Sequence, residues 1–136
     1  MIVADTSGLV ALFNRAEPSH VAAVAAVRAQ HEPLVVSPYV IAELDYLTAT
    51  RVGPAAAVAV VRELAGGAYL LPALDEDDLR VAADVLERYA GQAIGVVDAS
   101  LVVLADRYAT RTLLTLDRRH FSVVRSLGGA PFELLP

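Results

Sequence analysis

Four acidic residues of this chain sit where a fold would bring carboxylates together. Asp5 closes the apolar run Ile2-Val3-Ala4, and Asp117 closes the run Thr112-Leu113-Leu114-Thr115-Leu116. Both runs read as short buried strands. In a parallel sheet both carboxylates then project from the carboxyl edge, where α/β proteins bind their ligands. Thr115 shares a strand face with Asp117, and Thr6 follows Asp5 directly. Asp98 stands in the first turn of VVDASLVVLADRYA, a helix apolar on most sides, and such helices begin at that same edge. Taken singly, Asp5 or Asp98 would serve as an ordinary helix cap. On the helix YVIAELDYLTATRV, Glu43 borders one side of the apolar stripe Val40, Leu44 and Leu47, and Asp45 borders the other. Spacing does not choose between them.

Carboxylates gathered within a few ångströms repel, by about 3 kcal/mol for two full charges 5 Å apart at an effective dielectric of 20. Such a site protonates or takes up cations. The chain has no Cys, and its three His residues (His20, His31, His120) are too scattered for a zinc site. A metal would therefore be held by oxygen, which favours Mg²⁺ or Mn²⁺, ions that keep waters and bridge to phosphate. That chemistry hydrolyses a nucleic-acid backbone.

Net charge is -5, which does not advertise a nucleic-acid binder, yet all eleven basic residues are Arg. Arg118 and Arg119 follow Asp117 directly, and Arg107 and Arg111 lie one helical turn apart. These four are candidate phosphate contacts, forming a basic rim around an acidic pit. Apolar residues make up 56% of the chain, which implies a generous core or a face buried against a partner. No apolar stretch approaches the roughly twenty residues of a membrane span, and no basic leader precedes one. The expected location is the cytoplasm. Dinucleotide-binding, P-loop and nucleophile-elbow glycine patterns are absent.

The elements that must position these acids alternate. Strands are expected at residues 2–4, 34–36, AYLLPAL, RTLLTLD and, short, at 132–135. Between them fall a helix after Thr6-Ser7, a helix following Pro18, one entered at Ser37-Pro38, one opened by Gly53-Pro54, an acidic-first helix capped by Asp75, and the apolar helix of Asp98. GQAIG is read as a loop. Strand and helix alternating without hairpin signals point to a parallel sheet flanked by helices.

The blocks VADTSGL, SPYVIAELDYL, GVVDASLVVLADRY and LLTLDRRHF, in this order, resemble the four acidic blocks of PIN-domain ribonucleases, and most of all VapC toxins of VapBC toxin-antitoxin pairs. The resemblance covers essentially the whole chain. It implies a three-layer α/β/α fold with a mainly parallel sheet of four or five strands, as a single domain over residues 1–136. It implies that Asp5, Glu43, Asp98 and Asp117 form the acidic quartet, with Thr6 and Thr115 as polar support, and so selects Glu43 over Asp45. Asp5 and Asp98 are then the main ligands of a Mg²⁺ or Mn²⁺ ion, Asp117 completes that site or a second one, and Glu43 orients water or shares a metal. The implied activity is endoribonuclease. The implied partners are RNA, a VapB-type antitoxin and a second copy of the chain. A phosphoacceptor receiver domain also gathers Asp residues at a sheet edge, but it relies on a Lys and this chain has none. A PIN-like module that binds RNA or a partner without cleaving it is the other alternative, and the intact quartet speaks against it.

Overall fold

The computed structural model describes all residues from 1 to 136. In chain order its elements are β1 (Ile2–Ala4), α1 (Thr6–Phe13), α2 (His20–Gln30), β2 (Leu34–Val36), α3 (Pro38–Arg51), α4 (Pro54–Leu64) and β3 (Tyr69–Leu70). There follow α5 (Glu76–Arg88), a 3-10 turn at Ala90–Gln92, α6 (Val96–Arg107), β4 (Thr112–Leu114), α7 (Arg118–Phe121) and β5 (Glu133–Leu135). The five strands form one sheet in the order β3-β2-β1-β4-β5, and every neighbouring pair is parallel.

β1 is the middle strand, with Val3 opposite Val35 on one side and Leu113 on the other. Every residue of β1 and β2 is buried. Successive side chains of a strand point to opposite faces, so both faces of the sheet are covered and helices form the outer layers. The chain builds outward from β1 to β2 and β3, then returns across it to β4 and β5. The order therefore reverses between β1 and β4, and at the carboxyl ends of such a pair the connections part and leave a crevice.

Two local features hold that crevice in shape. Seven consecutive residues of α6, Ala99 to Ala105, are buried, so the helix that carries Asp98 is a core element. Each large apolar side chain taken fully from water contributes about 1.5–3 kcal/mol, and Leu101 and Leu104 are both completely buried. The first turn of α1 rests on the end of β4, where a Cβ on Gly8 would stand 2.3 Å from the carbonyl oxygen of Leu114. Only glycine permits that approach.

The structure departs from the expected elements in three places. The third strand shrinks from AYLLPAL to Tyr69–Leu70, because it is an edge strand and Pro72 offers no N–H to extend it. The second helix begins at His20, two residues beyond Pro18. β4 stops at Leu114, and Asp117 opens the four-residue helix α7, which no hydrophobic period announced.

Candidate active site

Asp5 lies immediately after β1 and is only 6% exposed. Its carboxylate accepts three hydrogen bonds: from the Thr6 N–H at 2.7 Å, the Ser7 hydroxyl at 2.7 Å and the Thr115 hydroxyl at 2.8 Å. It caps α1 and is also the hub of a buried network. Ser7 Oγ in turn accepts from the Leu116 N–H at 2.9 Å, and Thr115 Oγ1 accepts from the Asp117 N–H at 2.9 Å. Two hydroxyls thus stitch the end of β1 to the loop after β4, and the spacing between Asp5 and Asp117 is set by covalent and hydrogen-bonded links.

Asp98 is the third residue of α6, and its Oδ2 accepts from the Gly95 N–H at 3.0 Å. Burial pushes its carboxyl above the ordinary value, against the Gly95 hydrogen bond, which pulls it down. The negative charges of Asp5 and Asp117 raise it further, and His120 lowers it. Asp117 caps α7 through the His120 N–H at 3.1 Å, and its other oxygen stands 2.9 Å from His120 Nδ1, at an angle outside hydrogen-bond geometry.

Asp5, Glu43, Asp98 and Asp117 all line one open cleft of about 490 Å³. Glu43 reaches it from α3, whereas Asp45 faces a separate hollow between α3 and α4 with Ala49, Val58 and Arg62. Thr6 lies on the cleft wall, and its buried hydroxyl has no hydrogen-bond partner in the chain. Ser7, Glu17, Arg51 and His120 also line the cleft, and none of them was singled out from the sequence.

The four arginines read as a basic rim are not on the cleft wall. Arg107 ends the helix that Asp98 begins, and it donates to the Ala73 carbonyl at 2.8 Å and to Asp78 at 2.6 Å, tying α6 to the start of α5. That pairing holds the Asp78 carboxyl below its ordinary value. Arg111 precedes β4 and so lies at the opposite end of that strand from Asp117. Arg118 donates to the carbonyl of Pro136, and Arg119 is exposed on α7.

The donors facing the cleft are carboxylates and hydroxyls, which suits a hard divalent cation. No three acidic or His side chains converge closely enough to enclose an ion by themselves. Asp5, Asp98 and Asp117 each also give an oxygen to a helix cap. The raised Asp98 and the unpartnered Thr6 hydroxyl both mark a place short of positive charge and of polar partners.

A parallel sheet whose switch point carries four carboxylates defines a class, and residues 2–127 match the family described as PIN domain; the chain belongs to that family. Within it, the chain is 53% identical over 135 residues to Ribonuclease VapC26 of Mycobacterium tuberculosis, covering 99% of this chain and all of that protein. Among solved structures it is similar to VapC20 of M. tuberculosis, described as a sarcin-ricin loop cleaving toxin, with a TM-score of 0.79 at 23% identity over 87% of this chain and 91% of that one. It is also similar to VapBC2 from Rickettsia felis bound to a DNA fragment from its promoter, with a TM-score of 0.71 at 18% identity over both chains in full. At these identities the two structures establish the fold.

Proposed function

We propose that this chain is a divalent-metal-dependent endoribonuclease and the toxin half of a type II toxin-antitoxin pair. The observation that carries this reading is the convergence of Asp5, Glu43, Asp98 and Asp117 on one cleft at the switch point. Identity of 53% to a VapC ribonuclease along the whole chain supports RNA as the substrate and a VapB-type antitoxin as the partner.

Asp5 and Asp98 would hold the cation, Asp117 would complete its site, and Glu43, on the cleft wall from α3, would orient the attacking water. A Mg²⁺ or Mn²⁺ ion bound there would supply Lewis-acid polarisation of the phosphodiester and lower the pKa of a water. Ser7 and Thr115 keep Asp5 in one rotamer by donating to it, so no reorganisation is needed as charge develops. The Thr6 hydroxyl beside Asp5 is buried and without a partner in the chain. A nuclease acting on cellular RNA works in the cytoplasm.

Exposed apolar side chains support protein partners. Tyr46 on α3, Val52 just after it, and Val58 and Val61 on α4 are exposed, Val52 to 73%. An apolar groove lined by Phe13, Leu44, Leu47 and Val60 adjoins the cleft. A homodimer and the antitoxin are the proposed occupants of these faces.

The test is cleavage of cellular RNA by purified protein. Activity should vanish with a chelator, return with Mg²⁺ or Mn²⁺, and be lost in Asp98→Asn at unchanged fold. Full activity in the chelator would overturn the metal-dependent mechanism, and the absence of any RNA cleavage under metal-replete conditions would overturn the function.

A further inference from the structure

We infer that Arg51 is a substrate-positioning residue, binding a phosphate of the RNA strand beside the one that is cut. The inference rests on the ribonuclease reading and adds to it the direction in which the strand leaves the acids. A cleft lined by Asp5, Glu17, Glu43, Asp98 and Asp117 repels a polyanion, and Arg51 is the only guanidinium on its wall. Arg51 makes no ion pair or hydrogen bond within the chain, whereas Arg80, Arg107 and Arg118 are all engaged by neighbours. Its fork of donors is therefore free for bidentate contact with phosphate.

Position supports the assignment. Glu43, Leu47 and Arg51 follow one another at four-residue intervals along α3, and all three face the cleft. Arg51 stands eight residues from Glu43, about 12 Å along the helix axis. It also lines the adjoining apolar groove, as do Val10, Glu17 and Leu47. The guanidinium thus marks the waist between the two hollows. A strand whose cut phosphate lies among the acids passes Arg51 as it leaves toward that groove.

The test uses binding, so that it is separate from chemistry. In an Asp98→Asn background, affinity for a short mixed-sequence single-stranded RNA labelled with fluorescein is measured across a salt series. Adding Arg51→Gln should weaken binding roughly five- to tenfold at low salt. It should also flatten the slope of log K against log salt by about 0.7, the share of one single-strand phosphate contact. Arg51→Lys should recover most of the slope. Arg28→Gln, an exposed arginine outside both hollows, should change neither quantity. In the active protein Arg51→Gln should raise KM and leave kcat nearly unaltered.

An unchanged salt slope in Arg51→Gln, with the parent still binding RNA, would overturn this assignment alone. Loss of antitoxin capture without loss of RNA binding would also overturn it and place Arg51 on the partner's interface. A parent protein that binds no RNA at any salt concentration would overturn the assignment together with the ribonuclease reading.

Discussion

Gly8→Ala adds one carbon at the point where α1 meets β4, and its consequences follow from three distances. The new Cβ would lie 2.3 Å from the Leu114 carbonyl oxygen and 2.7 Å from both the Leu114 carbonyl carbon and Cγ, where ordinary contact begins at 3.4 Å. A Cβ has no rotamer to escape by, and the opposing carbonyl belongs to a paired strand. The start of α1 must therefore move off β4 by about 1 Å. Overpacking of this kind costs about 1–3 kcal/mol, here toward the upper end and partly offset by the better helix propensity of Ala, for a net loss of about 2 kcal/mol. At roughly 4 °C per kcal/mol for a chain of this length, Tm falls by about 8 °C. Activity falls more, since the same displacement opens the links from Ser7 to Thr115 and Leu116 and carries Asp5 away from Asp117. A misplacement of about 1 Å costs on the order of a hundredfold in rate. Thermal melting and RNA cleavage measured on one preparation read both effects. Gly91→Ala, where a Cβ meets nothing within 4 Å, is the control and should match the parent. A Gly8→Ala protein with parental Tm and parental activity would refute the reasoning.

Glu43→Gln should lower the cleavage rate by orders of magnitude, whereas Asp45→Asn, whose side chain faces a different hollow, should lower it little; comparable loss in both would remove the basis for separating them. Asp98→Asn should stabilise the metal-free protein at neutral pH. The native carboxyl is raised above its unfolded value, so the native state binds more protons and stability declines as pH rises from the unfolded value through the native one. Melts in a chelator should therefore show the largest gain for the variant above the native pKa, shrinking to nothing below the unfolded value near 3.9, and a gain independent of pH would contradict this origin. Thr115→Val should cost about 1–3 kcal/mol in urea unfolding, because it removes a donor to Asp5 and strands the Asp117 N–H, while Thr115→Ser should retain most of the stability.

Much of the site was legible in the sequence because its positions are ones that local rules describe. Asp5 and Asp98 occupy helix starts, and caps have a readable signature. Asp117 was reached through the strand before it, although the strand ends earlier than its apolar run and a helix of only four residues intervenes. Glu43 and Asp45 are both exposed on the same helix and flank the same stripe, so periodicity leaves them equal; the family resemblance selects Glu43, and the packing of α3 beside α1 and α6 puts the two on different hollows. Ser7 was invisible for another reason: its hydroxyl matters through partners 108 and 109 residues away. Arg107 looked like a free cation because Asp78, its partner, lies 29 residues earlier in a different helix. Arg51 had no motif around it, and its significance comes from the wall it stands on. Period and capping report on a residue's own element, whereas pairing and enclosure are properties of the assembled fold.

Direct titration of the purified chain with Mn²⁺, followed by electron paramagnetic resonance or calorimetry, tests the central claim without reliance on any RNA. The protein should bind the ion, Asp5→Asn and Asp98→Asn should each abolish or severely weaken binding, and Asp45→Asn should bind as the parent does. Undiminished Mn²⁺ binding in Asp5→Asn and Asp98→Asn, or no binding by the parent at all, would contradict a metal centre at the junction of β1, β4 and α6.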